Sequence, residues 1–168
     1  SVLEGVDPAA LADPVDRLAV LKALGKVECL VGALRIRALT ALGGTEPCGA
    51  YLDEVHVEHE IAVASRISEY AAGKALDLAR TITSSFPDFL TALRAGRVSW
   101  GHLAVLVDRT QFVTDKTALA EISTRALPRA LTRTAGQFAT EVEKLVARFD
   151  PDAAERHRKA KKKERKVW

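Results

Sequence analysis

The strongest chemical signal in the sequence is a run of cationic side chains, RHRKAKKKERK, at residues 156–166. Of the 25 Lys and Arg residues in the chain, eight lie in residues 153–168, together with two Glu. The other residues are mildly acidic overall, so the positive charge is concentrated in one segment. Each Lys or Arg that neutralises a phosphate releases a counterion, and the run therefore predicts DNA binding that weakens steeply with salt. The alternative is a solvated terminus without a partner.

We expect phosphate contacts from this segment and from one arginine at an earlier turn. The candidates are Arg156, Arg158, Lys159, Lys161, Lys162, Lys163, Arg165, Lys166 and Arg97, with Arg94 beside the turn. As a helix after Pro151, the segment is expected to carry charge on every side, with no apolar stripe before Val167. A membrane partner is therefore disfavoured.

The stretch LRAGRVSWGHLAVL, residues 93–106, predicts two helices joined at Gly96. A helix-turn-helix that reads a DNA groove needs such a turn, and Arg97, Ser99, Trp100 and His102 occupy the positions from which base contacts would come. The alternative is a tight corner in a helical bundle, with Trp100 in the core. We favour the corner, because every helical bundle needs such turns.

The sequence contains one histidine cluster, HVEHE at residues 56–60. His56 and His59 are three residues apart and share a helix face, but they lack the order of a zinc protease. We interpret the cluster as a solvated helix face. No phosphate loop, nucleophile elbow or useful metal spacing occurs, so no catalytic residue, metal ligand or cofactor is predicted.

The elements that must position these residues are helices, because no stretch alternates apolar and polar residues with β-branched side chains. We predict an all-α bundle of about seven or eight helices. Asp13-Pro14 starts a long amphipathic helix over about 14–42, and Asp150-Pro151 repeats that start signal before the basic segment. Pro128 is expected to end a helix over 115–127.

The predicted organisation has three parts. Residues 1–45 form the long helix, a possible pairing element, residues 55–150 the bundle core, and residues 151–168 a basic helix or tail. The segment GGTEPCGAYLDE at residues 43–54 is the best candidate linker. No secretory signal or membrane span is evident, and two cysteines are too few for a disulfide framework, so a cytoplasmic location is expected, with Cys29 as a small core residue.

In residues 55–168, the order of the signals that start and end helices resembles that of the actinobacterial 13E12-repeat family, the helical domain of unknown function 222. The resemblance lies in FPDFLTALRAGRVSWGHL, where a Pro, a Leu, a Gly and then a Ser open the next helix, and in the Asp150-Pro151 start of a basic helix. The resemblance covers the N-terminal part of such proteins, and it implies an accessory region that often precedes an HNH endonuclease domain in mobile or phage-like elements. Family members usually continue past the position of Trp168, and no His-Asn-His pattern occurs here, so nuclease activity is carried over to no residue.

These observations together predict a non-catalytic, DNA-associated helical module that docks on phosphates through its basic helix. The alternative is a protein-interaction or oligomerisation module, in which the long N-terminal helix pairs with its copy and DNA is not contacted.

Overall fold

The computed structural model of the protein describes residue 7 and residues 13–44 and 54–164. These residues form eight α-helices and no strand, which confirms the predicted all-α bundle. The helices are α1 (Pro14–Gly43), α2 (Glu54–Ser65), α3 (Glu69–Ser85), α4 (Pro87–Arg94), α5 (Trp100–Thr110), α6 (Lys116–Ala130), α7 (Ala135–Phe149) and α8 (Pro151–Glu164). The predicted linker lies mostly outside the described residues.

Short polar side chains start the helices, as the sequence predicts. The Asp13 carboxylate accepts a hydrogen bond from the Val15 amide at 2.8 Å. The Ser68 hydroxyl accepts from the Ala71 amide, and Thr134 exchanges hydrogen bonds with Gln137 in a capping box. Such caps satisfy backbone N–H groups that have no partner within the helix.

The end of α6 differs from the prediction. Pro128 does not stop the helix, which continues to Ala130. A proline in the last turn removes one backbone donor, so only the carbonyl of Thr124 loses its helical partner. Thr124 and Pro128 are both exposed, and water can satisfy that carbonyl. Ala126 and Ala130 continue the buried stripe across the proline.

The helices pack around one hydrophobic core. Helix α1 lies on α3 and α4, α2 on α3, α5 and α6 on α7, and α7 on α8. The buried cluster extends from Ala33 on α1 to Ala153 on α8. Its centre holds Phe86, Phe89 and Phe138, and the ring centroids of Phe89 and Phe138 are 6.0 Å apart.

The inward face of α1 is not the one that the sequence pattern suggests. Of the Leu and Val residues that recur at three- and four-residue steps along α1, Leu39 alone is buried; the exposed ones are Leu18, Leu21, Leu24, Val27, Leu30, Val31 and Leu34. The residues that pack on the bundle are Ala33, Ile36, Leu39 and Gly43. The buried Arg80 of α3 donates a hydrogen bond to the Gly43 carbonyl at 2.7 Å and so holds the end of α1. Although α1 is long, neither it nor any other described helix is apolar enough to cross a membrane.

Candidate nucleic-acid interface

The basic helix α8 is anchored on the body by one of its faces, contrary to the prediction of charge on every side. Ala153 is 1% exposed and His157 is 6% exposed, four residues apart on the same face. The His157 ring meets the Phe112 ring edge-on, with centroids 6.2 Å apart. The sequence pattern misses this stripe because it consists of an alanine and a histidine.

A single residue joins α7 to α8. The Asp150 amide donates to the Val146 carbonyl at the end of α7, and its carboxylate accepts from the Ala153 amide at the start of α8, each at 2.8 Å. The predicted Asp150-Pro151 start signal is therefore confirmed. Asp150 closes one helix and caps the next, which sets the direction of α8.

The carboxylate of Asp108, at the end of α5, ties α8 to the body. It contacts the guanidinium of Arg109, and it lies 3.2 Å from the Lys161 ammonium and 3.4 Å from Nε2 of His157. Partial burial acts to raise the pKa of Asp108. The hydrogen bond from Lys161 and the charges of Lys161, Arg109 and His157 outweigh burial, and the pKa lies below its ordinary value.

Arg109 extends this network to α7. Its Nε lies 2.8 Å from a Glu143 oxygen, and its guanidinium is 3.5 Å from His157. Asp108, Arg109 and Glu143 are therefore part of the site, although sequence reasoning did not select them. Asp108 and Arg109 lie on α5 and Glu143 lies on α7, and no local spacing in the chain indicates that they meet the residues of α8.

The predicted cations on α8 fall into three groups. Arg156 donates to the Phe112 carbonyl at 3.0 Å, Lys159 pairs with Glu155 of the same helix at 2.8 Å, and Lys161 pairs with Asp108. Arg158 and Lys162 are exposed. The side chains of the other predicted contacts lie outside the described residues, namely Lys163, Arg165 and Lys166.

Arg158, Lys161 and Lys162 meet Arg109 along one open groove between α7 and α8. The groove has a volume of about 650 Å³, and His157 and Glu143 complete its lining. Two of the four cations, Arg109 and Lys161, are paired with the carboxylates of Asp108 and Glu143. Arg158 and Lys162 therefore supply the excess positive charge of the groove. A smaller pocket of about 290 Å³ adjoins it, where Lys144 stands beside apolar atoms of Val146 and Ala154. Charge and shape together suit an extended anion.

The turn at Gly96 is a tight structural corner. Gly96 has φ +67°, its amide donates to Leu93, and the Arg97 amide donates to Ala92, which together form a Schellman motif. A Cβ on Gly96 would lie 3.0 Å from Cγ of Lys26 on α1. Glycine is therefore required here both by the backbone conformation and by the approach of α1.

Two of the residues predicted to read bases are used inside the fold. His102 is 8% exposed, and its Nε2 donates to the Arg133 carbonyl at 2.9 Å while its Nδ1 accepts from the Ser99 amide at 3.2 Å. The expectation that Trp100 lies in the core is wrong, because its side chain is 37% exposed; it packs over α1, where its Cε3 would lie 3.4 Å from a Cβ on Gly32. These contacts favour the structural interpretation of the corner.

Arg97 and Arg94 are exposed but belong to another part of the molecule. Arg97 precedes the first turn of α5, whereas α8 contacts Asp108 and Arg109 in its last turn. The two ends of this 11-residue helix are about 15 Å apart. The structure therefore does not bring Arg97 into the α8 groove.

The histidine cluster lies on α2, away from these cations. Nδ1 of His59 is 2.8 Å from a Glu69 oxygen. The hydrogen bond to Glu69 and the charges of Glu69 and Glu60 raise the pKa of His59, against the opposing effect of desolvation. In the part of the chain that the structure describes, no three His, Cys, Asp or Glu side chains are grouped to hold a metal ion.

Comparison with known proteins identifies a family. No curated protein and no solved structure matches the chain. A family model described as a domain of unknown function (DUF222) matches residues 30–168. The match begins within α1, earlier than the residue 55 at which the resemblance was expected to start, and it includes every helix of the α8 groove. Because it covers most of the sequence, the chain belongs to the DUF222 family.

Proposed function

We propose that this domain is a non-catalytic, DNA-associated module that docks on phosphates through the groove between α7 and α8. The observation that carries the proposal is the meeting of Arg109, Arg158, Lys161 and Lys162 around one open groove with Glu143 as the facing carboxylate. Contacts of this kind position a protein on the DNA backbone and carry no sequence preference.

The anchoring of α8 supports this proposal. A helix fixed by Ala153 and His157 holds the backbone of its remaining cations in place, so little backbone conformational entropy is lost when a polyanion binds. The ion pair of Lys161 with Asp108 opposes binding in part, because a phosphate must compete with the carboxylate. Arg158 and Lys162 form no close ion pair among the described residues, and the Glu155 carboxylate attracts Arg158 only through its charge. We therefore assign these two cations the largest effect.

The resemblance to the 13E12-repeat proteins suggests where such docking would serve. In this proposal the module holds an HNH endonuclease, supplied by the same or another chain, on its DNA substrate. The module itself performs no chemistry.

The test is a pair of double variants with equal net charge. Arg158→Gln with Lys162→Gln removes two groove cations, and Lys22→Gln with Lys116→Gln removes two exposed cations on α1 and α6. Binding to a labelled DNA duplex is measured by fluorescence anisotropy over a salt series. We expect the groove variant to reduce the slope of log K against log salt by about 2, since each phosphate contact contributes about 0.9.

The control variant should leave that slope close to the wild-type value. Equal effects of the two double variants would show that net charge and not the groove governs binding. Absence of binding by the wild-type chain at about 50 mM salt, where phosphate contacts are strongest, would overturn the proposal altogether.

A further inference from the structure

The outer face of α1 carries an apolar stripe that nothing in the described structure covers. Its residues lie on the side of the helix opposite the buried Ile36, as the 3.6-residue period requires. They follow one another at steps of four and three residues, and they are Val20, Leu24, Val27, Val31, Leu34, Ala38 and Ala41. All are exposed except the half-buried Val20.

This spacing is the heptad repeat of a coiled coil. Leu24, Val31 and Ala38 take the a positions, and the other members of the stripe take the d positions, over three heptads. The charged residues between Val20 and Ala41 all lie outside the a and d positions of this stripe. Since α1 is apolar on both its inner and its outer faces, it has the pattern of a helix that is covered on two sides.

We infer that this face pairs with α1 of a second copy of the chain, in an antiparallel two-helix coiled coil. The flanking charges favour this occupant and this direction. When Val31 is set opposite Leu34 of the second copy, Glu28 falls beside Arg35 of that copy, and twofold symmetry forms the pair twice. A parallel alignment instead places Arg35 beside Leu30 and Glu28 beside Ala23, and forms no ion pair.

The size of the stripe is sufficient for such an interface. From Val20 to Ala41 it is about 32 Å long, at 1.5 Å per residue. Two stripes of this length on helices about 10 Å wide have a projected area of roughly 640 Å² in total. The accessible area that they bury follows the curved side chains and is larger, near the lower limit of specific interfaces. Leu21 and Leu42 extend the apolar contact at its ends, because the same alignment places them beside each other.

The first test is the mass of the full chain in solution, measured by sedimentation at about 100 µM, above the micromolar range expected of an interface of this size. We expect twice the mass of one chain. Leu34→Glu should give the monomer, whereas Leu18→Glu, at an exposed position on the other side of α1, should leave the dimer intact. Circular dichroism checks that both variants fold. A monomeric wild-type chain, or a dimer that Leu34→Glu does not dissociate, overturns the inference.

The second test addresses direction. Glu28→Lys should weaken the dimer roughly tenfold, because two ion pairs become two like-charge pairs and a factor of ten corresponds to about 1.4 kcal/mol. Adding Arg35→Glu should restore the wild-type dissociation constant, since the pairs re-form with reversed charge. A double variant as weak as the single one would refute the antiparallel alignment. The inference is independent of the DNA-docking proposal, which a monomer could equally satisfy.

Discussion

Replacing Asp108 with Asn should lower the stability of the domain and raise its affinity for DNA. The carboxylate is held by Arg109, His157 and Lys161, and its side chain is 36% exposed. Solvent screening reduces such pairs to about 0.2–1 kcal/mol each, so we expect a loss of about 1 kcal/mol in the free energy of unfolding. In a domain of this size that loss lowers the Tm by about 2–4 °C.

The same substitution removes one carboxylate, that of Asp108, which competes with an incoming phosphate for Lys161. Lys161 then interacts with DNA without opposition from Asp108, which should add about 1 kcal/mol to binding, or roughly a fivefold gain in affinity. The slope of log K against log salt should become steeper by about 1, the value of one further phosphate contact.

The two effects are separated by thermal unfolding and by anisotropy titration of one DNA duplex at several salt concentrations. Asp88→Asn is the matched control, since it makes the same change of charge on α4, which packs on α1 and α3. If Asp108→Asn lowered the Tm but bound DNA with the affinity and slope of Asp88→Asn, Lys161 would not be a phosphate contact, and the competition argument would fail.

Three further outcomes follow from the fold. Gly96→Ala should destabilise the domain by about 1–2 kcal/mol, because alanine is strained at positive φ and its Cβ would press on Lys26; an unchanged Tm would contradict this. Glu69→Gln should return the pKa of His59 towards its usual value, as read by NMR titration. Because the folded-state pKa of His59 is raised, the contribution of the His59–Glu69 pair to stability is complete below about pH 6.5. That contribution is lost as the pH rises through the raised pKa. Phe138→Ala should cost about 3–5 kcal/mol in a denaturant titration, since its side chain is fully buried, and a loss below about 1 kcal/mol would show that the core collapses around the gap.

The contribution of Asp108 to the stability of the domain should be lost within a defined range of acid pH. The folded-state pKa of Asp108 lies below its ordinary value of 3.8, so its contribution to stability is complete above that value and is lost as the pH falls through the lower folded-state pKa. We expect the stability difference between the wild type and Asp108→Asn to vanish at low pH. A difference that persists under strongly acidic conditions would contradict the assignment.

Local signals in the sequence predict most of the fold. Caps such as Asp13 and Thr134 act on backbone groups within three residues, so the chain itself indicates where helices begin. The rule for Pro128 failed because its cost depends on where in the helix the proline lies and on the exposure of the carbonyl it leaves. The periodicity of α1 predicts the helix but not its inward face, because apolar residues on both faces leave no polar side that would identify the core.

The candidate site is harder to predict than the helices that form it. The density of cations on α8 is a property of composition and is visible directly. The partner of Lys161 is 53 positions away at Asp108, and such a contact depends on the packing of α5, α7 and α8. In the sequence, His157 is one more polar residue in a basic segment. Its burial against Phe112 is evident only in the structure.

Because a single residue, Asp150, joins α7 to α8, the direction of α8 and the charge on its surface are set by different residues. Two hydrogen bonds at that residue, with Ala153 and His157 beneath the helix, determine where it runs. Arg158 and Lys162 are exposed, so substitutions at these two positions should change the charge on the surface of α8 without changing the course of the helix.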